Sequence, residues 1–145
     1  MQSKTNASKQ KNSKSQNTKH PKNMQVVVRM RPINKDCVSK FLKVEPELKS
    51  ISITEDTQKN SYTFSQVFTS TTTQEQLFES LISPKIQRML RQKKQTLIFT
   101  YGVTNSGKTY TILGTPKEPG LLVRSVNALL SFKRKLESVG KGLYA

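Results

Sequence analysis

Histidine and cysteine are nearly missing from this chain of 145 residues, each occurring once, as His20 and Cys37. A single cysteine excludes a disulfide framework and a thiolate zinc site. A single histidine, set in a polar tail, leaves none for catalysis or metal binding. Acid is scarce as well: 9 Asp and Glu stand against 25 Lys and Arg, a formal charge of +16. Long hydrophobic runs are absent, the longest being three residues (Val26–Val28, Leu97–Phe99), whereas a membrane span needs about 20. The N-terminus has no apolar stretch of signal-peptide length. The expectation is a cytosolic or nuclear protein with no membrane segment.

A chain of this length has room for one domain. Residues 1–23 are built almost wholly from Lys, Ser, Asn, Gln and Thr. They lack the apolar side chains that offset the entropy of ordering, so they read as a disordered basic tail. Its lysines are spread singly, which favours a solvated tail over a nuclear-import or polyanion-binding arm. The ordered region is expected over 24–145, enough for a small α/β unit. It is basic too, so the charge excess is general and a polyanionic partner is plausible.

Order begins with Gln25-Val-Val-Val-Arg-Met-Arg-Pro32, a β-branched strand that Pro32 ends because it has no N–H to donate. Arg29 and Arg31 near its carboxyl end read as solvent-facing, or as poised for a ligand or an acidic partner. Ser50–Thr54 alternates as a short half-exposed strand of a side hairpin, and Glu55–Asn60 is a polar turn. Tyr62–Phe68 alternates again, with Tyr62, Phe64 and Val67 inward. A helix follows, with N-cap hydroxyls at 70–73 and Leu77, Phe78, Leu81, Ile82, Ile86, Met89 and Leu90 at spacings of three and four. Pro84 predicts a kink or break within it. Arg88, Arg91, Lys93 and Lys94 suit its negative end and a solvated surface.

Thr96-Leu-Ile-Phe-Thr-Tyr101 reads as a buried parallel strand. It runs into Gly102-Val-Thr-Asn-Ser-Gly-Lys-Thr109, which satisfies G-x-x-x-x-G-K-[ST]. Gly102 and Gly107 let the backbone turn and approach a phosphate closely. The N–H groups of Val103, Thr104, Asn105 and Ser106 then line an anion nest, reinforced by the positive end of the following helix. Lys108 can reach β- and γ-phosphates, and Thr109 offers Mg²⁺ a neutral oxygen. A chance match in a chain this long is on the order of one in 200, so a nucleoside triphosphate is the expected ligand. Beyond it, 114–120 breaks the chain. Leu122, Val126, Leu129 and Leu130 mark a second helix, with Lys133–Lys135 in its last turns and Gly140 after its end.

These segments resemble the kinesin motor domain, from about Gln25 to Glu137. Arg29, Arg31 and Pro32 are similar to the family's R-x-R-P element. Tyr62–Phe68 followed by Thr73-Gln74 is similar to Y-x-F-D-x-V-F…T-Q, with Ser65 where Asp is usual. Leu97–Thr111 is the most specific piece, and its Val-Thr-Asn-Ser wording resembles the mitotic kinesins of the spindle midzone. Gly120–Arg124 is similar to a G-I-x-P-R turn, with Val123 in place of Pro. The resemblance implies an α/β, P-loop NTPase-like kinesin motor fold, N-terminal part only. It implies a microtubule-motor ATPase with ATP and Mg²⁺ as cofactors, adenine lying between the Arg31–Pro32 end of the first strand and the ring of Tyr110. It also implies a cytoplasmic, cytoskeletal setting on microtubules, the mitotic spindle included.

Both catalytic switch motifs of the family, N-x-x-S-S-R-S-H and D-x-x-G-x-E, fall beyond Ala145, as do its main tubulin-binding elements. Asp36 and Asp56 are the only aspartates, and neither ends an apolar strand as a Mg²⁺-binding Walker B carboxylate does. No residue is assigned as catalytic, and this stretch alone is expected to be inactive. A different reading is a short basic non-motor protein that binds microtubules or nucleic acid by charge, with steep salt dependence. On the motor reading nucleic acid is not the expected partner. A complete small P-loop kinase is disfavoured by the missing Walker B aspartate.

Overall fold

The computed structural model describes residues 15–16, 24–32, 42–55 and 58–141. The chain divides into two compact units, residues 1–70 and 71–145. Most of the expected tail, and both Asp36 and Asp56, lie outside the described residues.

The described residues of the first unit form two sheets. One is four-stranded in the order β1-β5-β4-β3, from β1 (Ser15–Gln16), β3 (Leu42–Glu45), β4 (Ser50–Glu55) and β5 (Gln58–Thr63). β3, β4 and β5 form an antiparallel meander, and β1 lies parallel to β5. The central strand β4 departs from the half-exposed strand that its Ser-Ile-Ser-Ile alternation predicts. Ile51 is buried, but so are Ser50 and Ser52. The Ser52 hydroxyl donates to Ser61 Oγ at 3.2 Å, which satisfies a polar group inside the sheet. Two further readings change here. β3 was not foreseen, and the polar turn expected over Glu55–Asn60 is shorter, because Gln58–Asn60 already belong to β5. Cross-strand pairing to Ile53–Glu55 overrides the polarity of that segment.

The second sheet pairs β2 (Val27–Arg29) with β6 (Gln66–Phe68) in parallel, Val28 opposite Val67. Met30 N–H donates to Phe68 O and Ser65 N–H to Val26 O, which extends the ladder at both ends. Thus the alternation from Tyr62 to Phe68 is divided between two strands in two sheets. Val67 is buried, whereas Tyr62 is exposed and does not point inward as expected.

The second unit is helical, with α1 (Gln74–Leu81), α2 (Ser83–Gln92), α3 (Lys108–Ile112) and α4 (Leu121–Lys141). Thr73 caps α1 reciprocally: its Oγ1 accepts from Gln76 N–H at 3.1 Å, and Gln76 Oε1 accepts from Thr73 N–H at 3.0 Å. The break predicted from Pro84 falls at Ile82, with the proline tolerated in the first turn of α2. Half-burial of Lys85 on α2 lowers its pKa, and the Arg88 charge adds to the effect. Among the described residues, Leu77, Phe78, Ile82 and Leu121 are the buried apolar residues of this unit. α1, α2 and α3 all contact α4. α4 runs through Gly140, so that residue does not end the helix as expected. No helix among the described residues is long and apolar enough to cross a membrane.

The largest correction concerns 96–101. This segment is not a buried strand: it has no strand partner among the described residues, and Leu97, Phe99 and Tyr101 are 86%, 70% and 96% exposed. An apolar run becomes a buried parallel strand only where neighbours flank it and helices cover it. The sequence carries the composition of such a strand without those neighbours being in place.

Candidate functional site: the loop before α3

The loop Gly102–Gly107 joins this exposed segment to α3. Its backbone requires residues that tolerate positive φ: Gly107 caps α3 at φ 94°, and Asn105 sits at 63°. Gly102 sits at φ 155°, and a Cβ there would also lie 2.6 Å from Ser106 Oγ. The Ser106 N–H donates to Val103 O at 3.2 Å and rounds the loop. The Lys108 side chain then folds back across it. Its Nζ donates to Gly102 O at 2.8 Å and to Val103 O at 2.7 Å. An ammonium is thereby held over the loop by two charge-assisted hydrogen bonds.

Val103, Thr104, Asn105 and Thr109 are exposed, while Ser106, Gly107 and Lys108 are half-buried. Thr109 follows Lys108 directly, so its side chain stands at the same end of α3. Inside α3, Thr111 N–H bonds to Gly107 O and Leu113 N–H to Thr109 O. The Tyr110 hydroxyl donates to Glu118 Oε2. The following loop closes on itself through Thr115 and Glu118 and returns to the end of α3 by Gly120 N–H to Leu113 O at 2.9 Å. Arg124 of α4 donates from Nε to Pro119 O and fastens the loop to the next helix.

Of the residues singled out in the sequence, Gly102 through Tyr110 come together within the second unit. Arg29, Arg31 and Pro32 belong to the first, where Arg29 is half-buried and the other two are exposed. Gln74, quoted above only within the T-Q pattern, is not among the residues assigned to the site. Gln74 at the start of α1 is 2% exposed, and its Nε2 donates to Tyr110 O at 2.6 Å. A glutamine directly after an N-cap threonine reads as a solvated first-turn residue, so no local signal marks it as buried. A cavity of about 210 Å³ between α2 and α4, lined among others by Ile86, Leu90 and Phe132, shares no residue with the loop.

Among the described residues no cluster of His, Cys, Asp and Glu could hold a metal by itself. The donors present fit Mg²⁺ only as an ion shared between Thr109 and a ligand's oxygens, since Mg²⁺ keeps most of its waters and takes few protein ligands. A polyphosphate fits the remainder: backbone donors, one lysine and no carboxylate within the loop.

The kinesin motor domain, as a family, matches residues 3–141. The chain is 40% identical over 86 residues to kinesin-like protein KIF23 of Mus musculus, which covers 59% of this chain and 9% of that protein. It is 46% identical over 68 residues to kinesin-like protein KIF20B of Homo sapiens, covering 47% and 4%. To kinesin-like protein KIN-14N of Oryza sativa subsp. japonica it is 36% identical over 124 residues, covering 81% and 16%. The chain thus spans a small part of the length of each relative. By that family match, and with its mixed α/β elements, it belongs to the kinesin motor domain family.

Proposed function

We propose that this chain is the ATP-binding N-terminal portion of a kinesin-like microtubule motor. The Lys108 side chain arched over the loop carries the reading. Its ammonium is held by neutral carbonyls at 2.7 and 2.8 Å, and the oxygens of a triphosphate are stronger acceptors for it. The N–H groups of the loop orient the phosphates, and Thr109 supplies one oxygen to Mg²⁺, which neutralises charge on the β- and γ-phosphates. Tyr110 is proposed to stack on the adenine, a π-faced base suited to an aromatic ring. Glu118 fixes the Tyr110 hydroxyl and so restricts how that ring turns.

Hydrolysis requires a group that positions water in line with the γ-phosphate. Within the loop and α3 no carboxylate is available for that task, and the chain by itself is proposed to bind rather than turn over. Coupling to microtubules, in the cytoplasm or on the spindle, belongs to the whole motor. The test is titration of the chain with a fluorescent ATP analogue and Mg²⁺, beside Lys108→Ala. Loss of about tenfold or more in affinity is expected, the loss of a hydrogen bond to a charged group being worth about 1.5–3 kcal/mol. Equal binding by the variant would overturn the site.

The charge of +16 supports a second reading, a basic protein that binds microtubules or nucleic acid without a motor's cycle. The two separate cleanly: charge-driven retention falls steeply with salt and ignores Lys108→Ala.

A further inference from the structure

α3 carries both Lys108 and Thr109, yet it is five residues long. A helix this short does not hold its own shape in water, because nucleation costs more than its few hydrogen bonds return. What grips α3 from outside therefore decides where the lysine and threonine stand. Two side chains tie to its Tyr110 among other contacts. One tie is the Tyr110 hydroxyl to Glu118, exposed and open to competition from water. The other is Gln74 Nε2 to Tyr110 O at 2.6 Å, with the Gln74 side chain 98% removed from solvent.

We propose that Gln74 is a positioning residue of the phosphate loop, holding α3 by the Tyr110 carbonyl so that Lys108 and Thr109 face the ligand. Its support is rigid. Gln74 is the first residue of α1, directly after the reciprocal Thr73–Gln76 cap, and Leu77 in the next turn is 1% exposed. Its chemistry is specific as well. Only a side chain that donates can serve a carbonyl. A carboxylate of the same length would set two acceptors against each other, and leucine would offer nothing. This goes beyond the recognised loop motif, which ends at Thr109. It rests on the proposal that the loop binds ATP only for its binding readout.

The full chain is compared with Gln74→Leu and Gln74→Glu by two measurements. The first is hydrogen exchange, without nucleotide, at the amides of Thr111 and Leu113, which bond within α3. The second is affinity for Mg·ATP, expressed relative to the parent chain at each pH. Gln74→Leu is expected to speed exchange at both amides and to weaken binding by about tenfold, while amides of β4 and β5 are unchanged. Gln74→Glu is expected to share the defect at pH 8. It should recover towards the parent at pH 5.5, because burial raises a carboxyl's pKa and the protonated acid can donate to Tyr110 O. A purely structural role for the side chain would show no such recovery. Parent-like exchange in Gln74→Leu, or a defect in Gln74→Glu that ignores pH, overturns the proposal. If the parent itself fails to bind Mg·ATP, the ATP reading falls, and the exchange measurements still decide the role of Gln74.

Discussion

Gly102 and Gly107 both sit at positive φ in one loop, but only at Gly107 is the backbone angle the whole of the constraint. At Gly107 the φ of 94° is the constraint, for a Cβ would meet nothing within 4 Å. A side chain there has room but must adopt left-handed backbone, at a cost of about 1–2 kcal/mol. Asn tolerates that region better than Ala. Gly107→Asn should therefore retain more thermal stability and more ATP affinity than Gly107→Ala, an inversion of what side-chain size predicts. The ranking is read from melting curves and titrations of both variants. If Ala is the better tolerated, the left-handed cap is not what fixes this position. Asn105, already at φ 63°, shows the loop using the same tolerance without glycine.

At the scale of elements, α1 links the cap to the site. Thr73→Ala removes the side-chain half of the reciprocal cap, the Oγ1 that accepts from Gln76 N–H, and should destabilise the second unit by about 1 kcal/mol. It should also loosen Gln74, so ATP affinity falls although Thr73 is nowhere in the loop. Thr73→Ser restores both properties, and denaturant melts beside titrations check it. This cap was legible in the sequence: hydroxyls before an apolar 3–4 spacing, with Pro84 marking the break, describe local geometry that local residues decide. The turn before α3 was legible for the same reason, since the positive φ at Gly102 and Gly107 is set by the local backbone. What could not be read depends on partners far along the chain. Leu42–Glu45 is a strand because β4 pairs with it, and Gln74 is buried where its side chain meets the Tyr110 carbonyl of α3. Thr96–Tyr101 has strand composition, but composition does not provide neighbours. Hydrophobic runs report what a segment can bury, and pairing decides whether it does.

For the whole molecule, two properties oppose one another and salt sets their balance. The charge of +16 keeps copies apart. Against it stand the exposed side chains of Leu97, Phe99 and Tyr101 in one extended segment whose backbone pairs with no strand among the described residues. Such an apolar, unpaired stretch is a template for association between copies. Electrostatic repulsion is screened within about 10 Å at 0.1 M salt, whereas apolar association is not weakened by screening. The chain alone should therefore self-associate more as salt rises. Its retention on polyanions such as tubulin or DNA should fall over the same range. Phe99→Lys places a charge in the middle of the segment and should suppress self-association at every salt concentration. Because position 99 lies outside the loop, affinity for Mg·ATP should stay close to that of the parent. Sedimentation across a salt series, with and without the substitution, separates the two forces. Association that weakens with salt, or persists unchanged in Phe99→Lys, would assign it to charge or to another surface instead.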